Sequence, residues 1–311
     1  MTVDGSRTAA EIAAQPEAWR RAASAAAAAR GGPSGGGLPR PGERVAVVGC
    51  GTSWFMAQAY AALREAAGEG ETDAFPASQF PLDRAYQRVV AISRSGTTTE
   101  VARLLVALRG RWPRLPVLAL TTDRDTPVGR AADQVAVLDW ADERSVVQTV
   151  FATTAFSFLR AALAAPVGGA AAVAGSVVDA EAALATPLPD AALAAGQWTF
   201  LGSGWRHGLA LEAALKLREA AGAWTEAYPA MEYRHGPLAI AAPGRVVWLF
   251  EPAPEGLEGS VRAAGAALWG PAAGDPLASL VLAQRLAVAV AGARGLDPDR
   301  PRGLTRSVIL P

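Results

Sequence analysis

Short unbroken apolar runs alternate along this chain with longer stretches whose apolar residues recur every three or four positions. The runs are "RVAVVG" (44–49), "VVAIS" (89–93), "PVLALTT" (116–122) and "QVAVLDW" (134–140), and the stretches between them include "WFMAQAYAALREAAG" (54–68) and "EVARLLVALRG" (100–110). Continuous apolar strands separated by helices predict a parallel sheet covered on both faces. The pattern then starts again. "VAVVGCGTSWFMAQAYAALREA" (45–66) aligns with "WTFLGSGWRHGLALEAALKLRE" (198–219), Gly49 over Gly202 and Gly51 over Gly204, and "VVWLFEP" (246–252) supplies a further strand. The predicted fold class is α/β, with two doubly wound, flavodoxin-like parallel-sheet subdomains related by an internal repeat.

Residues 8–30 read as a helix, and "GGPSGGGLPRPGE" (31–43) reads as a flexible linker by composition. This predicts a helix-and-linker segment over 1–43, a first subdomain over 44–190 with residues 143–196 mainly helical, and a second subdomain over 191–311.

Composition narrows the class of partner. Basic and acidic residues balance at 29 each, so no electrostatic footprint for nucleic acid or an anionic membrane is present, and a small molecule is the expected ligand. The longest uncharged run, Ala161 to Val178, is mostly alanine and carries Pro166 and three glycines, too weakly apolar for a membrane span. The single Cys50 and the lack of a secretory pattern at the start lead to a cytoplasmic expectation. One cysteine and two histidines 28 residues apart give no metal-ligand spacing, and neither a metal nor another cofactor is expected.

Candidate chemistry starts at "AISRSGTTTE" (91–100), where a buried-looking strand gives way to Ser93, Ser95, Thr97, Thr98 and Thr99 around Gly96. One helix cap uses one hydroxyl; five in seven residues exceed that need. A strand end, a hydroxyl-rich turn and a helix N-terminus together make an anion cradle, at the end of the sheet where doubly wound folds bind ligands. No Walker lysine follows, and Gly49 and Gly51 form only part of a dinucleotide fingerprint, so nucleotide is the weaker reading.

Helix "LALEAALKLREAAG" (209–222) sets Glu212, Lys216 and Glu219 on one narrow face. Such a stripe is ordinarily a solvated salt-bridge face. Lys216, however, is the only lysine beside 28 arginines, and an ammonium can be desolvated and tuned where a guanidinium cannot. Of His207 and His235, the second stands beside a Gly-Pro turn among charged residues and is the better acid/base candidate.

The segments "EIAAQP" (11–16), "GCGTS" (49–53), "ISRSGTTTE" (92–100), "ERSVVQT" (143–149), "LEAALKLRE" (211–219), "EYRHGPLA" (232–239) and "DPDRPRGLTRSVIL" (297–310), in this order, resemble the sugar isomerase (SIS) family of phosphosugar-binding proteins. The likeness is nearest to the isomerase half of glucosamine-6-phosphate synthase and to stand-alone aminosugar-phosphate deaminases and isomerases. It implies that Ser53, Ser93, Arg94, Ser95 and Thr98 bind the phosphosugar, with Val147 and its neighbours lining the sugar. It implies further that Glu219 is the base at C1/C2, with Lys216 one turn before it, and that His235 assists ring opening. Because this histidine can come from a neighbouring subunit, a homodimer is implied. Arg306 stands where the synthase tail carries a catalytic lysine; an arginine cannot form a Schiff base, but it can still neutralise an oxyanion or the phosphate, so Arg306 is kept as a catalytic candidate with Glu219, Lys216 and His235. These 311 residues show no glutaminase domain or N-terminal cysteine nucleophile, so the implied activity is that of a hexosamine 6-phosphate deaminase/isomerase. The alternatives are isomerisation of a hexose 6-phosphate without deamination and non-catalytic phosphosugar sensing.

Overall fold

The computed structural model describes residues 6–32, 35–270 and 274–310. In chain order the elements are α1 (Arg7–Gly31), β1 (Val45–Gly49), α2 (Thr52–Ala66), β2 (Thr72–Pro76), β3 (Arg88–Ile92), α3 (Thr99–Arg111), β4 (Val117–Thr121), α4 (Pro127–Ala131), β5 (Gln134–Val137), α5 (Val150–Ala161) and α6 (Gly169–Ala185). There follow α7 (Asp190–Leu193), β6 (Gln197–Leu201), α8 (Trp205–Ala221), β7 (Thr225–Tyr228), β8 (Arg245–Leu249), α9 (Leu257–Ala263), β9 (Ala267–Trp269) and α10 (Pro276–Ala293).

Both sheets are parallel throughout, in the orders β2-β1-β3-β4-β5 and β7-β6-β8-β9. The second order is the first without its last strand, which makes the predicted repeat a repeat of topology. Every residue of β1, β3, β4 and β6 is buried, the outcome expected for continuous apolar strands with helices on both faces. β2, β5 and β7, at sheet edges, are only partly covered; the mixed polar sequences of β2 and β7 gave little signal, whereas β5 lies within the predicted run "QVAVLDW".

The G-x-G turns repeat in detail. Gly51 has φ 54°, ψ −126° and Gly204 has φ 54°, ψ −131°, a conformation closed to residues with a side chain. The preceding glycines let strand end and helix touch: a Cβ on Gly49 would lie 2.7 Å from the Ser53 carbonyl carbon, and one on Gly202 would lie 2.5 Å from the Arg206 carbonyl oxygen. Gly204→Ala is expected to lower unfolding free energy by about 1–3 kcal/mol, read from chemical denaturation. A stability equal to the parent's would show that the turn relaxes freely.

The compact units do not follow the linear division at residues 43 and 190. One holds the four-stranded sheet and comprises residues up to Pro16, Ser145–Thr149 and Ser176–Leu304; the other holds the five-stranded sheet and comprises Glu17–Arg144, Val150–Gly175 and the residues from Thr305 on. Distant segments are recruited by side chains. In the four-stranded unit Arg285 of α10 donates to the carbonyls of Ala183 and Thr186 at 2.7 and 2.6 Å, and Gln15 of α1 donates to Gln284 at 2.7 Å.

Of the expected flexible linker, Pro33 and Ser34 lie outside the described residues, and the remainder is tied down. Leu38 is buried, Arg88 donates to the Gly37 carbonyl at 3.0 Å, and the wholly buried Arg64 donates to the Arg40 and Glu43 carbonyls at 2.7 and 3.0 Å. Glycine and proline are here shapes the path requires rather than marks of freedom.

Helix α10, absent from the sequence reading, has a mean hydropathy of 1.5 and passes a membrane-span test by length and composition. With 72% of it buried, it serves as the core helix of its unit, against α8.

Candidate active site

In the five-stranded unit the strand order turns between β1 and β3, so the ends of these two strands frame the crevice where such sheets bind ligands. Ser53 follows β1 and Ser93 follows β3. Both are buried, at 4% and 3% exposure, and the Ser93 hydroxyl has no hydrogen-bond partner among the described residues. A buried hydroxyl without a partner is costly, and one at a strand-order switch marks a place suited to an external acceptor. Thr98 sits at the N-cap of α3, yet its side chain makes no capping bond, so the simple capping role does not account for it. The Ser95 hydroxyl accepts from the Thr97 backbone N–H at 3.2 Å and from the Thr97 hydroxyl at 3.0 Å.

The repeat provides a control for this crevice. β1 pairs with β3 with Val45 opposite Arg88, and β6 pairs with β8 with Trp198 opposite Val246. With Val45 aligned on Trp198, Ser53 corresponds to Arg206 and Ser93 to Glu251. Where one sheet offers two hydroxyls, the other closes on itself with an ion pair, Arg206 to Glu251 at 3.6 Å. Only the five-stranded unit therefore presents neutral donors at this position.

Arg94 lies differently from a phosphate-facing residue. Its guanidinium is 5% exposed, stands 3.4 Å from the fully buried Glu143 carboxylate and donates to the Arg306 carbonyl at 2.7 Å. Its own carbonyl accepts from the hydroxyls of Thr121 and Thr122 at 3.2 and 2.9 Å. Glu143 in turn accepts from the backbone N–H groups of Val150 and Phe151 at 3.0 and 3.3 Å, which holds the first turn of α5. Arg306 donates to the Glu143 carbonyl at 3.1 Å and pairs with Asp142. Arg94, Glu143 and Arg306 thus form one network that fixes the turn after β3, and Arg306 acts in it as a tether. Glu143 was missed by the sequence reading although it heads the quoted "ERSVVQT".

In the four-stranded unit Lys216 and Glu219 stand on α8, the helix that follows the second G-x-G turn. The Lys216 ammonium is 1% exposed; it donates to Glu219 Oε2 at 2.6 Å and to the Gln148 carbonyl at 2.9 Å, and it pairs with Glu212 Oε1 at 3.3 Å. Sequence spacing gave the two carboxylates; the carbonyl is a long-range contact that fastens "ERSVVQT" to α8. Val147 beside it is buried at 1% exposure, so its side chain serves the core of the loop. Glu212 is buried at 1%, whereas Glu219 is 20% exposed and its Oε1 has no protein partner among the described residues. One oxygen held and one open is the arrangement of a carboxylate base. His235 is exposed beyond a short 3₁₀ turn, with no side-chain hydrogen bond among the described residues. His207, in the first turn of α8, is half-buried, and burial pushes its imidazole below the usual value. Among the described residues no cluster of His, Cys, Asp or Glu could hold a metal ion.

No protein-family model matches the chain. The glutamine–fructose-6-phosphate aminotransferase (isomerizing) of Gloeobacter violaceus is 29% identical over 316 residues, covering 86% of this chain and 52% of that protein. The tagatose-6-phosphate ketose/aldose isomerase of Escherichia coli has a similar fold, with a TM-score of 0.80 at 20% identity over 100% of this chain and 98% of the other. The chain is a homologue of the isomerase (SIS) part of these aminotransferases. It spans about half the length of the curated relatives it matches. A second SIS-like structure, glucosamine-6-phosphate deaminase from Thermotoga maritima, has a TM-score of 0.73 at 23% identity and covers 98% of this chain and 100% of its own.

Proposed function

We propose that the chain acts on a hexosamine 6-phosphate and converts it to the ketose 6-phosphate with release of ammonia. The observation that carries this reading is the Lys216–Glu219 pair: a buried ammonium 2.6 Å from a carboxylate that keeps one oxygen open. Ser53, Ser93, Ser95 and Thr98 take the phosphate, whose binding energy holds the sugar for reaction. His235 moves the proton that opens the ring, from O1 to O5. Glu219 then removes the C2 proton, giving an enolamine, and Lys216 holds the base in place. Return of the proton to C1 leaves an imine at C2, and water hydrolyses it to the ketose and ammonia.

Arg94 and Arg306 support this chemistry through their shared network with Glu143, which holds the turn after β3. The exposure of His235, with Met231 at 51% and Trp224 at 74% nearby in the sequence, supports a homodimer in which His235 completes the partner's site. Names among the similar proteins include both an aminosugar-phosphate deaminase and a ketose/aldose isomerase, so a second reading keeps the same proton transfer without loss of ammonia. Product analysis separates them. Ammonia released in step with ketose from glucosamine 6-phosphate is the expected result. Ketose from glucose 6-phosphate, with no ammonia from the amino sugar, would establish the second.

A further inference from the structure

The turn after β3 is covered by residues more than two hundred positions away in sequence. The Ser307 hydroxyl lies 3.0 Å from the Ser95 hydroxyl and 3.0 Å from that of Thr97, which are themselves 3.0 Å apart. Ser95 is one of the groups assigned above to the substrate's phosphate. We propose that Ser307 is a further phosphate-binding residue, so that the C-terminal tail supplies part of the anion site. This inference rests on the reading of that turn as the phosphate cradle.

Two arguments carry it. The first is proximity: a phosphate oxygen that takes the Ser95 proton enters a triangle of hydroxyls 3.0 Å on a side, and must either be bound by Ser307 or push it out. The second is anchorage, which decides between these. The tail is held on both sides of Ser307 by bonds that do not involve its hydroxyl. On one side Arg306 donates to the Glu143 carbonyl at 3.1 Å and pairs with Asp142, while Arg94 donates to the Arg306 carbonyl at 2.7 Å. On the other, the Thr99 N–H donates to the Val308 carbonyl at 3.2 Å and the Leu310 N–H to the Thr99 hydroxyl at 2.9 Å. Thr305 also donates to the Ser307 carbonyl at 2.9 Å. Displacing Ser307 would break several of these bonds, whereas turning its O–H toward an anion breaks none of them and exchanges a neutral hydrogen bond for a stronger charge-assisted one.

The test is Ser307→Ala in the full chain, with inorganic phosphate binding measured by calorimetry and KM and kcat measured with glucosamine 6-phosphate. Loss of one charge-assisted donor predicts that Kd for phosphate and KM both rise about tenfold while kcat holds. Ser307→Thr, which keeps a hydroxyl, should restore both values. Phosphate affinity unchanged in Ser307→Ala, or lost equally in Ser307→Thr, would overturn the proposal. Ser95→Ala separates this failure from a deeper one. If it weakens phosphate binding and Ser307→Ala does not, only the role of Ser307 falls; if neither does, the cradle itself falls with it.

Discussion

Glu219→Gln should lower kcat by about 10²–10⁴-fold while the protein stays folded and still binds phosphate. The amide keeps the shape of the side chain and can still accept from Lys216, so the variant removes basicity and little else. Its neighbour tests the assignment. Glu212 also faces Lys216, at 3.3 Å, but at 1% exposure against 20% for Glu219 it has no approach to a substrate. Glu212→Gln should therefore leave a slow but competent base in place. Exchange of the C2 hydrogen with deuterated solvent reads the step directly. It should all but vanish in Glu219→Gln and persist in Glu212→Gln, and the reverse pattern would move the base to Glu212.

The sequence exposed those parts of the fold in which a local pattern and the tertiary environment agree. β1, β3, β4 and β6 are buried on both faces, so their apolar runs are unbroken, and the G-x-G turns recur because both helices press on their strand ends with the same backbone shape. Edge strands such as β7 and β9 are short, partly covered and stabilised by one neighbour, and nothing local sets them apart from loop. The segment after α1 carried the composition of a linker, but its backbone carbonyls serve two buried arginines, and composition does not reveal acceptors.

The same division runs through the candidate site. Lys216 and Glu219 are neighbours on one helix face, and helical periodicity alone brings them together. The family resemblance implied that Arg94 binds the phosphosugar. Its guanidinium lies 3.4 Å from Glu143, some fifty residues on in sequence, a buried pairing that no local pattern announces. Lone residues become networks only once the chain has folded, which is why Ser307 carried no signal in the tail where Arg306 drew attention.

Lys216→Met should be the most destabilising change at the site, with a loss of about 3–5 kcal/mol. Methionine matches the length and most of the volume of lysine, so packing is largely kept and the effect isolates the charge. The ammonium is 1% exposed and faces Glu212, equally buried, together with Glu219 and the Gln148 carbonyl. Removing it leaves negative charge in an apolar setting and unfastens the segment that Gln148 belongs to. One further measurement distinguishes this cause from a packing defect. The double variant Lys216→Met/Glu212→Gln should recover much of the loss, since a neutral amide removes the buried carboxylate charge that Lys216 had faced. Additive losses in that cycle, measured by urea denaturation, would instead show that Lys216 acts through its packing and its bond to the Gln148 carbonyl, and that the pair with Glu212 contributes little.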